Sequence, residues 1–116
     1  YLRVVRGMKK FSVFAVGVYV SEQRTVENIS HAKAGGIMTI VCNRPDGEGG
    51  NQTSSETFAV VANEKGMEFV YMPMNSPNEA ADLVSRVAPI LQAQGDVLFY
   101  CRSGRRSTAL CTEALK

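Results

Sequence analysis

Tryptophan is absent, histidine occurs once, and neither sign of charge dominates. Each shortage removes a class of function. Aromatics make up 8%, and 13 Lys+Arg stand against 11 Asp+Glu for a net charge of +2. The chain therefore has neither the stacking platform nor the basic footprint of a nucleic-acid binder. The soft metal ligands are His31 and three cysteines, Cys42, Cys101 and Cys111, with no zinc spacing among them. No metal site and no cofactor is expected. A small, odd set of cysteines points to a reducing compartment, so a cytoplasmic location is expected, with the periplasm as the alternative. The longest apolar stretch, residues 11–20, is too short to span a bilayer, and no membrane partner is expected. Met8-Lys9-Lys10 before residues 11–17 imitates a secretory leader. The β-rich run Val18-Tyr19-Val20 continues it without a polar mature region or clear small-residue cleavage site, which argues against that reading.

What is present is an ordinary globular composition of 45% hydrophobic and 21% charged residues over 116 positions. That is enough for one domain with a real core, and disorder is excluded. A single catalytic domain over 1–116 is expected, with both ends trimmed and C-terminal helices cut short.

Hydrophobic patterning divides the chain into alternating elements. Residues 11–20 are β-branched and aromatic and read as a strand or a hairpin about Gly17. Thr25 reads as the N-cap of a helix that Gly35-Gly36 stops. Residues 37–42 form a continuous apolar run, as in a buried parallel strand. Residues 43–52 hold Pro, Asp and Gly and predict a long polar loop. Thr53-Ser54-Ser55-Glu56 has the form of a capping box and predicts a helix to Lys65. Residues 67–74 read as a strand. Ser76-Pro77-Asn78-Glu79 is a second capping box, with Pro89 a kink in the helix behind it. Residues 97–100 read as a buried strand and 107–116 as a last helix. Strands alternating with helices predict a three-layer α/β fold, a mostly parallel sheet with helices on both faces. Ligands of such sheets bind at the carboxyl ends of the strands. Two loops fall there, 43–52 and 101–107.

Cys101-Arg102-Ser103-Gly104-Arg105-Arg106-Ser107 joins a buried strand to a helix. A helix N-terminus offers unpaired N–H groups and partial positive charge to an anion. Gly104 lets the backbone curl so that successive N–H groups point inward. Arg102, Arg105 and Arg106 add charge, and a guanidinium can grip two oxyanion oxygens at once. A cysteine placed there has a lowered pKa. A thiolate in an anion cradle implies attack on a phosphate or on a sulfane-sulfur donor. The substrate is expected to be a small anionic or phosphorylated molecule, contacted by Arg102, Ser103, Gly104 and Arg105, with Asn43 and Arg44 bordering the site.

Tyr19-Val20-Ser21-Glu22-Gln23, Cys42-Asn43-Arg44-Pro45-Asp46-Gly47-Glu48 and the Cys101 loop together resemble, over nearly the whole chain and in order, the phosphatase-like domain of β-lactamase-hydrolase-like proteins. That bacterial family has the fold of cysteine-dependent tyrosine and dual-specificity phosphatases. The resemblance implies Cys101 as nucleophile, Arg106 as oxyanion holder and Ser107 as the group that helps expel the thiolate. One departure stands out. Only four residues separate Cys101 from Arg106, one fewer than in those phosphatases. That spacing is similar to rhodanese-type sulfurtransferases, whose shorter loop encloses a cysteine persulfide.

A phosphatase also needs a general acid. The loop where related enzymes carry an Asp is Asn75-Ser76-Pro77-Asn78-Glu79 here and has none. Asp46 is the remaining candidate, either as acid or as a turn former in Pro-Asp-Gly. Cys42 and Cys101 end two strands and could bridge if the strands are neighbours, although a core role for Cys42 is the simpler reading. Cys111 reads as core and His31 as a surface residue. Three functions remain open: a phosphatase acting through a phosphocysteine, a sulfurtransferase carrying a persulfide, and an anion-binding module without turnover.

Overall fold

The computed structural model describes residues 11–116, so the leader-like residues 8–10 lie outside the described residues. The chain enters as an antiparallel hairpin, β1 (Ser12–Ala15) and β2 (Val18–Ser21), followed by α1 (Glu27–Ala34) and β3 (Ile37–Cys42). Then come α2 (Ser55–Glu64), β4 (Glu68–Tyr71), a 3-10 turn (Pro77–Glu79), α3 (Ala80–Gln92), β5 (Asp96–Tyr100) and α4 (Arg105–Ala114). The sheet runs β1-β2-β5-β3-β4, and every pairing except β1 with β2 is parallel.

The pleat sorts the core into two layers. Leu98 and Tyr100 of β5, with Ile40 and Cys42 of β3, meet Ile29 of α1 and Phe58 of α2. Their neighbours Val97, Phe99 and Val41 point the other way, to Val87 of α3 and Leu110 of α4. The result is the expected three-layer α/β fold. Phe58 is stacked on Phe69 at 6.1 Å and tilted against Tyr100 at 5.6 Å. No helix among the described residues is long and apolar enough to cross a membrane.

Local expectations shift at several elements. The strand expected over 67–74 closes at Tyr71, because its register with β3 slips across Pro73. Met72 and Met74 on either side of it still donate, to the carbonyls of Cys42 (2.8 Å) and Asn43 (2.9 Å). The N-cap of α2 is Ser54, not Thr53, and its hydroxyl accepts from the Thr57 N–H. At α1 the expected cap works in reverse: the N–H and hydroxyl of Thr25 both donate to Asn28 Oδ1, and the helix starts at Glu27. α3 runs on through Pro89 to Gln92. α4 begins at Arg105, earlier than expected, because Gly104 takes a left-handed φ of 92° and turns the chain straight into the helix.

Candidate functional site

β3 and β5 are hydrogen-bonded neighbours, with Cys42 opposite Tyr100. Both leave the sheet at the same edge, so the loop after β3 and the loop after β5 face each other. The alternation that sends Phe99 toward α4 sends Cys101 there as well. Cys101 is fully buried. The N–H of Gly104 donates to its sulfur at 3.2 Å. Burial opposes ionisation of this thiol. The N–H and hydroxyl of Ser107 and the N–H groups of Arg106 and Gly104 outweigh it, and the pKa falls below the ordinary thiol value. The donors of the 101–107 loop thus bear on the sulfur, with the Gly104 N–H bonded to it.

Arg106 is fixed by a partner that the sequence reading did not single out. Its Nη1 donates to Glu48 Oε2 and to the Met74 carbonyl, both at 2.8 Å, and its Nη2 donates to Glu48 Oε1 at 2.9 Å. These bonds use the end of the guanidinium. Its pKa is raised, first by Glu48 and to a lesser degree by the Cys101 sulfur. Glu48 is held ionised, its pKa lowered to about 2 chiefly by the Arg106 hydrogen bond, with Arg44 adding to it. A carboxylate so held is no proton donor near neutrality. Glu48 lies four positions after Arg44, in a polar loop facing three arginines, and that charge complementarity was the available signal.

Arg44 sits behind this pair. It is buried, and donates from Nε to Glu48 Oε1 (3.0 Å) and from Nη1 to Gln23 Oε1 (3.1 Å). A Cβ on Gly49 would lie 2.7 Å from Arg44 Nη2, so glycine is what lets the loop cross the guanidinium. Arg44 thus braces Glu48 from inside the protein. Asn43 is equally buried and lies beneath the loop, with its Nδ2 on the Met72 carbonyl (2.8 Å) and its Oδ1 receiving the Ser107 hydroxyl (2.9 Å). Both residues were expected at the border of the site, and both are turned inward because their polar groups are spent on the protein.

Asp46 caps α2. Its Oδ1 accepts from the Ser55 N–H at 2.8 Å and its Oδ2 from the Ser55 hydroxyl at 2.6 Å. Its own N–H donates to the Tyr71 hydroxyl. Arg102 and Arg105 are exposed at the loop, and Ser103 Oγ accepts from the Arg105 N–H. All three cysteines are free. Cys42 faces the α1–α2 layer, away from Cys101, and donates to the Arg44 carbonyl. Burial raises its pKa, and burial pushes the Cys111 thiol up to about 12. Among the described residues no group of three His, Cys, Asp or Glu side chains is placed to hold a metal ion.

Comparison with known proteins agrees with this geometry. Residues 10–114 match the family model described as the phosphatase-like domain of beta-lactamase hydrolase-like protein. A beta-lactamase hydrolase-like protein of Xylella fastidiosa is 30% identical over 90 residues, which cover 77% of this chain and 21% of that protein. The chain thus spans about a fifth of this curated relative's length. Among solved structures, a proposed phosphatase from Neisseria meningitidis is 30% identical with a TM-score of 0.69, over 81% of this chain and 68% of that one. Human DUSP28 shares the fold at a TM-score of 0.61 and 18% identity, over 91% of this chain and 68% of that one.

Proposed function

This chain belongs to the family of phosphatase-like domains of beta-lactamase hydrolase-like proteins, and on that premise we propose that it is a cysteine-dependent phosphomonoesterase. The observation that carries the reading is the Cys101 sulfur inside a ring of N–H donors, with Arg106 beside it. Such a ring is complementary to the oxygens of a phosphoryl group in transfer. The Cys101 thiolate attacks phosphorus while Arg106 and the loop N–H groups hold the non-bridging oxygens. The bond to the leaving oxygen breaks, and that oxygen takes a proton from the general acid, which we assign to Asp46. In the present state the Asp46 carboxylate rests on Ser55, so this role requires its side chain to turn. Water then attacks the phosphocysteine, phosphate leaves, and the sulfur recovers its electron pair. Exposed Arg102 and Arg105 suit an anionic substrate approaching the loop.

The four-residue spacing between Cys101 and Arg106 favours a second reading, transfer of sulfur through a Cys101 persulfide. One experiment separates the two. Turnover of an aryl phosphate and of thiosulfate is measured on the same preparation, beside Cys101→Ser. The phosphatase reading expects aryl phosphate hydrolysis that falls to background in Cys101→Ser with the fold retained. Turnover of thiosulfate alone would replace it with the sulfurtransferase. Hydrolysis unchanged in Cys101→Ser would remove the nucleophile assignment.

A further inference from the structure

Asn43 leaves none of its polar groups to solvent. Its N–H donates to the Tyr100 carbonyl (2.7 Å), its carbonyl accepts from the Met74 N–H (2.9 Å), and its Nδ2 donates to the Met72 carbonyl (2.8 Å). The last bond fixes the amide's direction, because a flip would set two carbonyl oxygens against each other. Oδ1 must therefore face Ser107, whose hydroxyl donates to it at 2.9 Å. Both residues have no solvent exposure, so water does not compete.

The Ser107 hydroxyl has one proton. Asn43 Oδ1 accepts it, and the same hydroxyl bears on the Cys101 sulfur, whose pKa it lowers. It serves one at a time. A thiol, or a sulfur bonded to phosphorus, is a weak acceptor and loses to the amide. A thiolate carries full charge and wins.

We propose that Asn43 is a positioning residue that competes for the Ser107 hydroxyl, holding it while the Cys101 sulfur is neutral and yielding it as that sulfur becomes anionic. This rests on the phosphatase reading for its place in turnover. During hydrolysis of the phosphocysteine, the water oxygen bonds to phosphorus and the S–P bond breaks. The electron pair stays on sulfur and both water protons leave with phosphate. Ser107 keeps its proton throughout; only its hydrogen bond turns, from amide to sulfur. The arrangement keeps this donor off the neutral sulfur and supplies it when the sulfur departs as a thiolate.

The test titrates Cys101 by ultraviolet thiolate absorbance, taking the difference from Cys101→Ser, and requires no turnover. The other charged or titratable groups that bear on the sulfur are Arg106 from α4 and the Cys42 thiol from β3, and neither is altered. Asn43→Leu removes the competing acceptor at similar volume and should lower the thiol pKa by about one unit, the worth of one hydrogen bond to a charged group. Ser107→Ala should raise it by a similar amount. Asn43→Asp keeps an acceptor and should not lower it. Asn43→Leu should have no effect on the thiol once Ser107 is alanine. If the leucine variant does not fold, Asn43→Ala should shift the pKa in the same direction. A folded Asn43→Leu or Asn43→Ala protein with an unchanged or raised pKa would overturn the proposal, as would an equal shift in the Ser107→Ala background. Absence of aryl phosphate turnover would instead overturn the proposed function and leave these titrations standing.

Discussion

At the scale of single residues, Glu48 shows how one carboxylate sets the charge state of the site. It bonds the end of the Arg106 guanidinium through both oxygens, and its side chain remains 29% exposed. Its pKa is lowered to about 2 from an ordinary 4.5. The folded state therefore binds this proton less readily than the unfolded state. The stabilisation is fully present above pH 4.5 and is lost as the pH falls toward 2. Glu48→Gln should flatten the pH dependence of stability in that window, leaving the slope above it unchanged. Chemical denaturation at a series of acid pH values reads this out, and an identical slope in the variant would assign the acid sensitivity elsewhere. The same substitution frees Arg106 from its anchor, which links the charge of one loop to the geometry of the other.

Among the elements, α2 and the loop that leads into it share one residue with the proposed chemistry. The Asp46 carboxylate meets the first N–H of α2 and the Ser55 hydroxyl, so it satisfies an orphan donor and opposes the positive end of the helix. Asp46→Asn should cost up to about 1 kcal/mol of stability through the charge lost at the helix N-terminus. If Asp46 also protonates the leaving group, the variant should lose about 10²–10⁴-fold in turnover of a poorly activated phosphate ester. An activated aryl phosphate, whose leaving group needs little protonation, should respond far less. Steady-state rates on both esters, with stability measured in parallel, distinguish the roles. Equal, small losses on both would confine Asp46 to its cap.

Across the whole molecule, the proposed function makes the strand ends at one edge of the sheet an anion site, and an anion bound there should stabilise the fold by mass action. Phosphate at 100 times its dissociation constant should add about 2.7 kcal/mol, read as a rise in melting temperature. Cys101→Ser should keep most of this rise and Arg106→Ala should lose most of it; a rise indifferent to Arg106 would place the anion elsewhere. Much of the site was legible beforehand. The Cys101 loop is local: strand, cysteine, glycine and arginines are adjacent in the chain, and elementary helix physics turns that order into a nest. The same holds for the alternating elements and the three layers, since periodicity follows from which faces must be buried. Capping was legible in kind but slipped by a residue at α2, because the Ser55 N–H was claimed by Asp46, nine positions upstream. β4 closed early because its register with β3 slips by a residue beyond Tyr71, which apolar patterning does not show. The sequence by itself thus determined the surroundings of Cys101 and the architecture, both matters of near neighbours and buried faces. Only the tertiary structure decided that Glu48 holds Arg106, that Arg44 stands behind it and that Asn43 reaches Ser107. The first and last of those contacts join residues far apart in the chain, and they exist because β3 and β5 pair in parallel and deliver their loops to one edge.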